Sequence, residues 1–253
     1  MSCEHDPAAD GGGPAEARSM IMKPYGAMEP PSLHDHDHDH GAQPGVEDDL
    51  RLEVGVGPWQ GERPSDPRYD PDLLTQGDRR NVVDRYRYWR REAVVADLDA
   101  RRHDFHVAIE NWQHDLNIGS VVRTANAFLA REVHIVGRRR WNRRGAMVTD
   151  RYQHVRHHPD PATLAAWAHA QDLSVLGVDN LPGAVPLETY DLPRASVLLF
   201  GQEGPGLSPD ARAACDAVLS IAQYGSTRSI NAGAAAAIAM HAWIRRHAFD
   251  QKP

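Results

Sequence analysis

The sequence is poor in cysteine and in long apolar runs. Its 253 residues include two cysteines, Cys3 and Cys215, which lie far apart and match no disulfide or metal-binding spacing. No apolar run reaches the length of a membrane span, and no early apolar stretch resembles a signal peptide. These absences predict a protein of a reducing, cytoplasmic compartment without a membrane partner.

Positive charge is also scarce, because 28 Lys and Arg face 35 Asp and Glu for a net charge of −7. Taken alone, that charge argues against a nucleic-acid partner. Residues 1–50, however, hold 11 acidic and two basic residues, so the other 203 residues carry 26 basic and 24 acidic ones. The acidic excess thus lies in residues 1–50, the acidic tail, and the composition of the rest is compatible with binding RNA.

Residues 1–77 are predicted to be a disordered acidic extension. They are rich in Pro, Gly, Asp and His and hold too few apolar residues to offset the entropy of ordering. Four histidines within them alternate with aspartates, at His34, His36, His38 and His40. Such a tract can hold a divalent metal, but a solvated linker is the simpler interpretation, since a structural metal site needs ligands fixed by a fold. No metal ligands are therefore assigned.

Order is predicted to begin near Asp78, at the start of a domain spanning residues 78–250. Apolar residues recur at helical spacing from Val82 to Val94 and predict an amphipathic helix, with Asp78 or Asn81 as its N-cap. The arginines of this segment are most simply a solvated face, and an RNA contact is the alternative. They are Arg85, Arg87, Arg90 and Arg91.

Short apolar runs then alternate with helical segments, from FHVAIEN at Phe105 to the final helix after Ser229. Continuous apolar strands between helices indicate an α/β fold, with a mainly parallel sheet and helices on both faces. Ligands bind such sheets at the carboxyl ends of the strands. The loops that follow the strands are therefore expected to form the site.

Two of these loops combine glycine with polar residues. After the first strand, Asn117 can cap the next helix, and Arg123 lies about one and a half turns further on. A capped surface helix with an exposed arginine explains this segment equally well. After the strand SVLLF, the run GQEGPG surrounds Glu203 with three glycines. It matches neither G-x-G-x-x-G nor a P-loop, which argues against a nucleotide triphosphatase or a dinucleotide oxidoreductase.

A third segment, QYGSTRSINAGAAAAIAMHAW, follows the last strand. Gly225 bends the chain, and Ser229 and Asn231 begin a helix made mostly of small residues. Capping of the helix by Ser229 would account for that residue, but it would not explain why Asn231 is also polar. Small residues let this helix approach a neighbouring element closely.

Together the three segments resemble the signature motifs of the TrmH/SpoU branch of the SPOUT superfamily, which are RNA 2′-O-ribose methyltransferases dependent on S-adenosyl-L-methionine (AdoMet). They are similar in turn to N-x-G-x-x-x-R-x-A, G-x-E-x-x-G-[LV]-S and I-P-M-x-G-x-x-x-S-L-N-V-S-x-A. Order and spacing agree over roughly Phe105 to His247. The matching residues are Asn117, Gly119, Arg123 and Ala125, then Gly201, Glu203, Gly206, Leu207 and Ser208, then Ile221, Gly225, Ser229, Asn231 and Ala235.

The match departs from the family at a few positions of the third motif. Ala222 and Gln223 replace Pro-Met, Ala232 and Gly233 replace Val-Ser, and an isoleucine replaces Leu before Asn231. These changes affect the expected contours of the pocket and remove no residue to which the family assigns chemistry.

The resemblance implies a C-terminal trefoil knot, AdoMet as cofactor, and a homodimer whose active sites are completed across the interface. The implied catalytic residues are Arg123, Asn117, Glu203, Ser229 and Asn231, and the implied cofactor-binding residues are Gly201, Glu203, Gly206, Ile221, Gly225 and Ile230. In the family the counterpart of Arg123 is proposed as the base. Because arginine stays protonated in proteins, binding of the adjacent phosphate and stabilisation of the developing alkoxide is the alternative.

The run GRRRWNRRG, after the strand EVHIVG, is a candidate RNA-binding loop. Arginine forks bind phosphates, and an aromatic plate can stack an unpaired base. The candidate contacts are Arg138, Arg139, Arg140, Trp141, Arg143 and Arg144, together with Arg123. A solvated basic loop with its tryptophan in the core is the alternative. The expected partner is structured tRNA or rRNA, and no DNA partner is expected.

Two other functions are compatible with the motifs. One is a SPOUT methyltransferase that acts on an RNA base, and the other is a non-catalytic RNA-binding protein with the same fold. The polar residues of all three motifs are present, which favours ribose methylation. The sequence does not identify the RNA or the nucleotide that is modified.

Overall fold

The computed structural model describes residues 55–113 and 117–249. These residues form a seven-stranded sheet with the order β3-β2-β1-β6-β4-β7-β5, and every paired strand in it is parallel. The strands are β1 (Phe105–Asn111), β2 (Val133–Gly137), β3 (Val155–His158), β4 (Ser174–Val178), β5 (Val185–Pro186), β6 (Ser196–Phe200) and β7 (Ala217–Ser220).

Helices cover both faces of the sheet because successive side chains of each strand point to opposite sides. Phe105, Val107 and Ile109 of β1 pack with apolar residues of α3 and α6, whereas Ala108 packs with those of α4 and α5. This arrangement confirms the predicted α/β fold. The helices are α1 (Pro71–Gln76), α2 (Arg91–Asp99), α3 (Asn117–Ala127), α4 (Pro161–His169), α5 (Pro209–Ala213) and α6 (Ala232–His247).

The central strands β1 and β6 explain why the sequence pattern was informative. Both are buried along their whole length, and Phe105 pairs with Ser196 in a parallel register that continues to Ile109 and Phe200. A strand covered on both faces needs apolar residues at nearly every position. The predicted trefoil knot stays a prediction.

Strand β3 was not predicted, because its sequence VRHH lacks an apolar run. It lies at one edge of the sheet and pairs only with β2 among the described residues, so Val155 and Arg156 are exposed. An edge strand tolerates the polar residues that a central strand excludes.

The prediction of disorder up to residue 77 is wrong for residues 55–77. Helix α1 forms there, with the Asp70 carboxylate accepting from the backbone N–H groups of Asp72 and Leu73. Trp59 packs edge-on against Tyr69 at 5.9 Å and Tyr88 at 5.3 Å between ring centroids. These aromatic contacts pack together a segment that is rich in proline and glycine. The tail histidines, in residues 1–54, lie outside the described residues.

The predicted helix from Val82 to Val94 is also wrong in its first half. The chain makes one 3₁₀ turn at Asp84–Tyr86, and α2 begins only at Arg91. Tyr88 has a φ of 63°, which no α-helix allows. The cause is Asp78, whose buried carboxylate accepts from the backbone N–H of Tyr88 at 2.9 Å. Asp78 therefore holds a loop and is not an N-cap.

No helix among the described residues combines the length and the apolar character needed to cross a bilayer.

Candidate active site at the carboxyl edge of the sheet

Three loops at the carboxyl edge of the sheet bring Asn117, Glu203 and Asn231 together. The side-chain amide of Asn117 donates to Glu203 Oε2 at 3.0 Å, and that of Asn231 donates to the same oxygen at 3.1 Å. Asn231 Nδ2 also donates to Asn117 Oδ1 at 2.9 Å. These residues are separated by up to 114 positions in the chain, so the fold assembles the cluster. We call them the polar triad.

The start of α6 explains why the triad contains Asn231. Its side-chain oxygen accepts from the backbone N–H groups of Gly233 at 2.9 Å and Ala234 at 3.2 Å, so Asn231 is the N-cap of this helix. Capping uses Oδ1 and leaves Nδ2 to donate to Asn117 and Glu203. The alternative interpretation, capping of α6 by Ser229, is therefore wrong.

The glycines around Glu203 are required by a close approach of the backbone to itself. A β-carbon on Gly201 would lie 2.0 Å from the carbonyl carbon of Gly206. Gly206 has a φ of 70°, and a β-carbon there would lie 2.4 Å from a carboxylate oxygen of Asp179. No other residue type fits these two positions without displacing the loop.

A cavity of about 280 Å³ opens between this glycine loop, the end of β4 and the segment before α6. Apolar side chains and polar groups share its lining, as is usual for sites that bind small molecules. Among the predicted site residues, the cavity is lined by Gly201, Glu203, Gly206, Ile221, Ser229 and Ile230. Gly225 is described by the structure and is not part of the lining.

Arg123 does not join the triad in this chain. Its side chain is exposed on α3, about 120° around the helix axis from Asn117. It makes no hydrogen bond or ion pair with any residue that the structure describes. The expectation that Arg123 lies beside Glu203 stays a prediction.

Sequence reasoning missed two carboxylates that support the loops. Glu110, fully buried at the end of β1, accepts from the indole N–H of Trp112 at 2.7 Å and from the backbone N–H of Ser208 at 2.8 Å. Asp179, just after β4, accepts from the backbone N–H of Leu207 at 2.8 Å. Both residues lie where a predicted apolar strand ends at the edge expected to carry the site, and that position was the available signal.

The candidate RNA-binding loop starts at the same edge. Arg138, Arg139 and Arg140 are exposed. Trp141 is partly buried against the main core, and the Arg143 guanidinium lies 5.4 Å from its ring centroid. The arginines therefore face solvent, while the tryptophan is shared between the core and Arg143.

The second half of this loop, at Gly145 and Ala146, packs against α3. A β-carbon on Gly119 would lie 2.7 Å from the backbone nitrogens of Gly145 and Ala146. The close contact fixes the loop against the helix whose first residue, Asn117, belongs to the triad.

Residues 104–241 match the family model described as the SpoU rRNA Methylase family. This chain belongs to that family. The family resemblance inferred from the three motifs is thereby confirmed, and the match covers more than half of the chain. It includes every residue of the polar triad, the glycine loop and the cavity lining.

Relatives and solved structures agree with this membership. The chain is 28% identical over 155 residues to the tRNA (guanosine(18)-2′-O)-methyltransferase of Escherichia coli (strain K12). This match covers 60% of this chain and 68% of that one. It is 36% identical over 141 residues to an uncharacterized tRNA/rRNA methyltransferase of Mycobacterium sp. (strain KMS), covering 53% of this chain and 44% of that one.

Among solved structures, the SpoU methyltransferase AviRb from Streptomyces viridochromogenes in complex with AdoMet matches with a TM-score of 0.52 and 26% identity. The match covers 59% of this chain and 60% of that one. The matched region thus spans between 44% and 68% of the length of these relatives.

Proposed function

We propose that this protein transfers a methyl group from AdoMet to a ribose 2′-hydroxyl of structured tRNA or rRNA. The observation that supports the proposal most directly is the polar triad at the edge of the glycine-lined cavity, assembled from all three family motifs. A cytoplasmic location follows from such substrates.

The cavity fits AdoMet by its chemistry. Gly201 and Gly206 let the backbone curl closely around the space, so main-chain groups can contact a ligand there. Ile221 and Ile230 supply apolar contacts, and Asp179 brings a carboxylate suited to hydroxyl or amino groups. When bound, AdoMet supplies an activated methyl group on its sulfonium. The chain's own residues must then orient the ribose hydroxyl in line with that methyl group.

The polar triad is proposed to hold Glu203 in one orientation. Its Oε2 accepts from Asn117, from Asn231 and from the backbone N–H of Ala232 at 2.9 Å. Donors of this kind hold a carboxylate in one orientation. Glu203 then positions the ribose or the catalytic arginine, and Ser229, on the cavity wall, lies within the same site.

Arg123 is proposed to act in the site of a partner protomer. Its side chain is exposed and lies about 120° around the α3 axis from Asn117, as expected for a residue that serves a second copy across a two-fold axis. There it binds the phosphate next to the target ribose and stabilises the developing alkoxide. The protein is accordingly proposed to be a homodimer.

RNA is proposed to approach over the exposed arginines Arg138, Arg139 and Arg140, which extend from the end of β2 beside the site. Their guanidinium forks suit phosphates. Arg144 is also exposed, whereas Arg143 is partly neutralised by Asp150 at 3.4 Å. Trp141 offers only its uncovered part for stacking.

The test is transfer of a labelled methyl group from AdoMet to total tRNA and, separately, to rRNA, followed by digestion to nucleosides. We expect label in a 2′-O-methylnucleoside from one pool, and loss of that label in the Arg123→Ala variant. Label on a base would replace the proposal with base methylation. Binding of RNA without transfer to either pool would identify a non-catalytic RNA-binding protein.

A further inference from the structure

Three buried histidines form a ladder on the face of the sheet that α4 covers. Nδ1 of His106 lies 3.0 Å from Nε2 of His134, and Nδ1 of His134 lies 3.0 Å from Nε2 of His158. They belong to β1, β2 and β3, and the Trp167 ring of α4 packs on His134 at 4.5 Å between centroids. The methyl-transfer site proposed above uses none of these side chains.

The rings of His106 and His134 are buried beneath the Trp167 ring of α4. A neutral imidazole carries one nitrogen with a free lone pair, which can bind a metal. Neutral imidazole is the ligand form that zinc binds.

Glu132 supplies a carboxylate beside His134, the middle ring of the ladder. Its Oε2 lies 3.9 Å from Nε2 of His134, and ligand atoms of Glu132, His106 and His134 all lie within 4.8 Å of one another. Tetrahedral zinc with bonds of about 2.0–2.1 Å holds its ligand atoms roughly 3.3 Å apart. The 3.0 Å nitrogen pair must open by a few tenths of an ångström. The carboxylate must close by about half an ångström on His134 and by up to about 1.5 Å on His106.

We propose that His106 Nδ1, His134 Nε2 and the Glu132 carboxylate form a Zn²⁺ site. Two imidazoles and one carboxylate are a ligand set that suits zinc and other borderline divalent metals, with water in the remaining position. With zinc on Nε2 of His134, its Nδ1 keeps the proton and donates to Nε2 of His158, while the proton that His106 shares through Nδ1 moves to its other ring nitrogen, Nε2. His158 then orients the ligand from behind, as outer hydrogen-bond acceptors do in zinc proteins.

Arg156 competes with the metal for Glu132. Its Nε and Nη2 donate to the two carboxylate oxygens at 3.0 and 3.2 Å, and its guanidinium lies 5.1 Å from the centroid of the Trp167 ring. Arg156 is about half exposed, so it can swing into solvent when a cation takes its place. Removing this arginine should therefore strengthen metal binding, whereas non-specific binding of zinc to surface groups would not respond in that way.

The test titrates Zn²⁺ into the full chain and follows the unfolding temperature, with Co²⁺ absorption as a report on coordination. We expect a rise of about 5–10 °C at one hundred times Kd, because a ligand that binds only the folded state stabilises it. Glu132→Gln and His106→Gln should abolish the rise, and Arg156→Gln should lower Kd at least tenfold. His169→Gln is the matched control, since His169 forms an exposed pair with Asp216 at 3.2 Å and should change nothing.

The tail histidines need their own control, because an alternating His/Asp tract also binds metals. A variant with His34, His36, His38 and His40 replaced by glutamine should keep the full rise in unfolding temperature. Loss of the rise in that variant, or its persistence in Glu132→Gln, would overturn the proposal, as would an unchanged unfolding temperature in the native chain. If His106→Gln does not fold, Glu132→Gln decides the question, because the Glu132 side chain is partly exposed and the substitution keeps its shape.

Discussion

Asn231 and the residue that follows it both donate hydrogen bonds to Glu203 Oε2. The Asn231 side chain reaches Glu203 Oε2 at 3.1 Å, and the backbone N–H that follows Asn231 reaches it at 2.9 Å. The same asparagine caps α6. One residue thus fixes both the start of a helix and the direction of a carboxylate.

These two tasks of Asn231 can be separated by substitution. Asn231→Asp keeps an N-cap oxygen but replaces the donor to Glu203 with a negative charge, so we expect near-native stability and at least a hundredfold loss of methyl transfer. Asn231→Ala should lose activity and also about 1 kcal/mol of stability through the missing cap. Urea unfolding and single-turnover methylation measure the two effects. Equal activity of the native chain and Asn231→Asp would contradict a positioning role.

The glycine loop should be sensitive to a single methyl group. Gly201→Ala places a β-carbon 2.0 Å from the Gly206 backbone, and we expect a loss of more than about 2 kcal/mol of stability together with loss of AdoMet binding. Gly225→Ala is the matched control, because a β-carbon there meets nothing within 4 Å. Calorimetric titration with AdoMet compares the variants. Weakened AdoMet binding in Gly225→Ala would instead support the prediction that Gly225 contacts the cofactor.

Mixing two inactive variants tests whether the site is shared between protomers. Arg123→Ala and Glu203→Gln should each be inactive alone. In a random mixture half of the dimers are heterodimers, and each contains one intact composite site, so about a quarter of native activity should return. No recovery, with mixed dimers demonstrated by native mass spectrometry, would place Arg123 in the site of its own chain.

The exposed arginines should control RNA affinity without affecting the cofactor. Replacing Arg138, Arg139 and Arg140 by alanine is expected to weaken RNA binding across sequences and to reduce the slope of log K against log salt by about one for each phosphate that is no longer bound. Arg143→Ala should have a smaller effect, because that guanidinium already pairs with Asp150. Filter binding at several salt concentrations measures both slopes. An unchanged slope in the triple variant would exclude these arginines from the RNA interface.

Asp78 should make stability depend on acid pH. Burial alone would raise its pKa, but hydrogen bonds from the Arg80 side chain and from the backbone N–H groups of Tyr88 and Arg80 outweigh burial and hold the pKa below 3.8. The unfolded state then binds a proton more readily than the folded one, so this contribution is complete above the unfolded pKa and is lost as pH falls through the lowered value.

The Asp78→Asn variant measures that contribution. It should lose about 3 kcal/mol near pH 7, because Arg80 keeps its charge without a buried partner. Urea unfolding at a series of pH values should show the gap to the native chain narrowing as pH falls below about 4. A gap that stays constant with pH would mean that Asp78 contributes packing alone.

Local sequence predicted the fold where burial left little choice. The central strands had to be apolar throughout, and the loops after them had to meet at one edge. The family motifs then grouped Asn117, Glu203 and Asn231 within those loops. The direction of each side chain was harder to predict, since the side on which Arg123 projects depends on how α3 is rotated against the sheet. The position of Asp78 in sequence looked like an N-cap, and only its burial beneath Tyr88 reveals that it closes a loop.

The contact between Gly119 and Gly145 links recognition to chemistry. Because those two backbones touch, the arginine loop cannot shift without moving the helix that begins at Asn117. A ligand that orders one of these elements finds the other already ordered, and the second ligand loses less conformational entropy on binding. Such coupling is reciprocal. Bound cofactor should therefore raise the affinity for RNA by the same factor by which bound RNA raises the affinity for the cofactor.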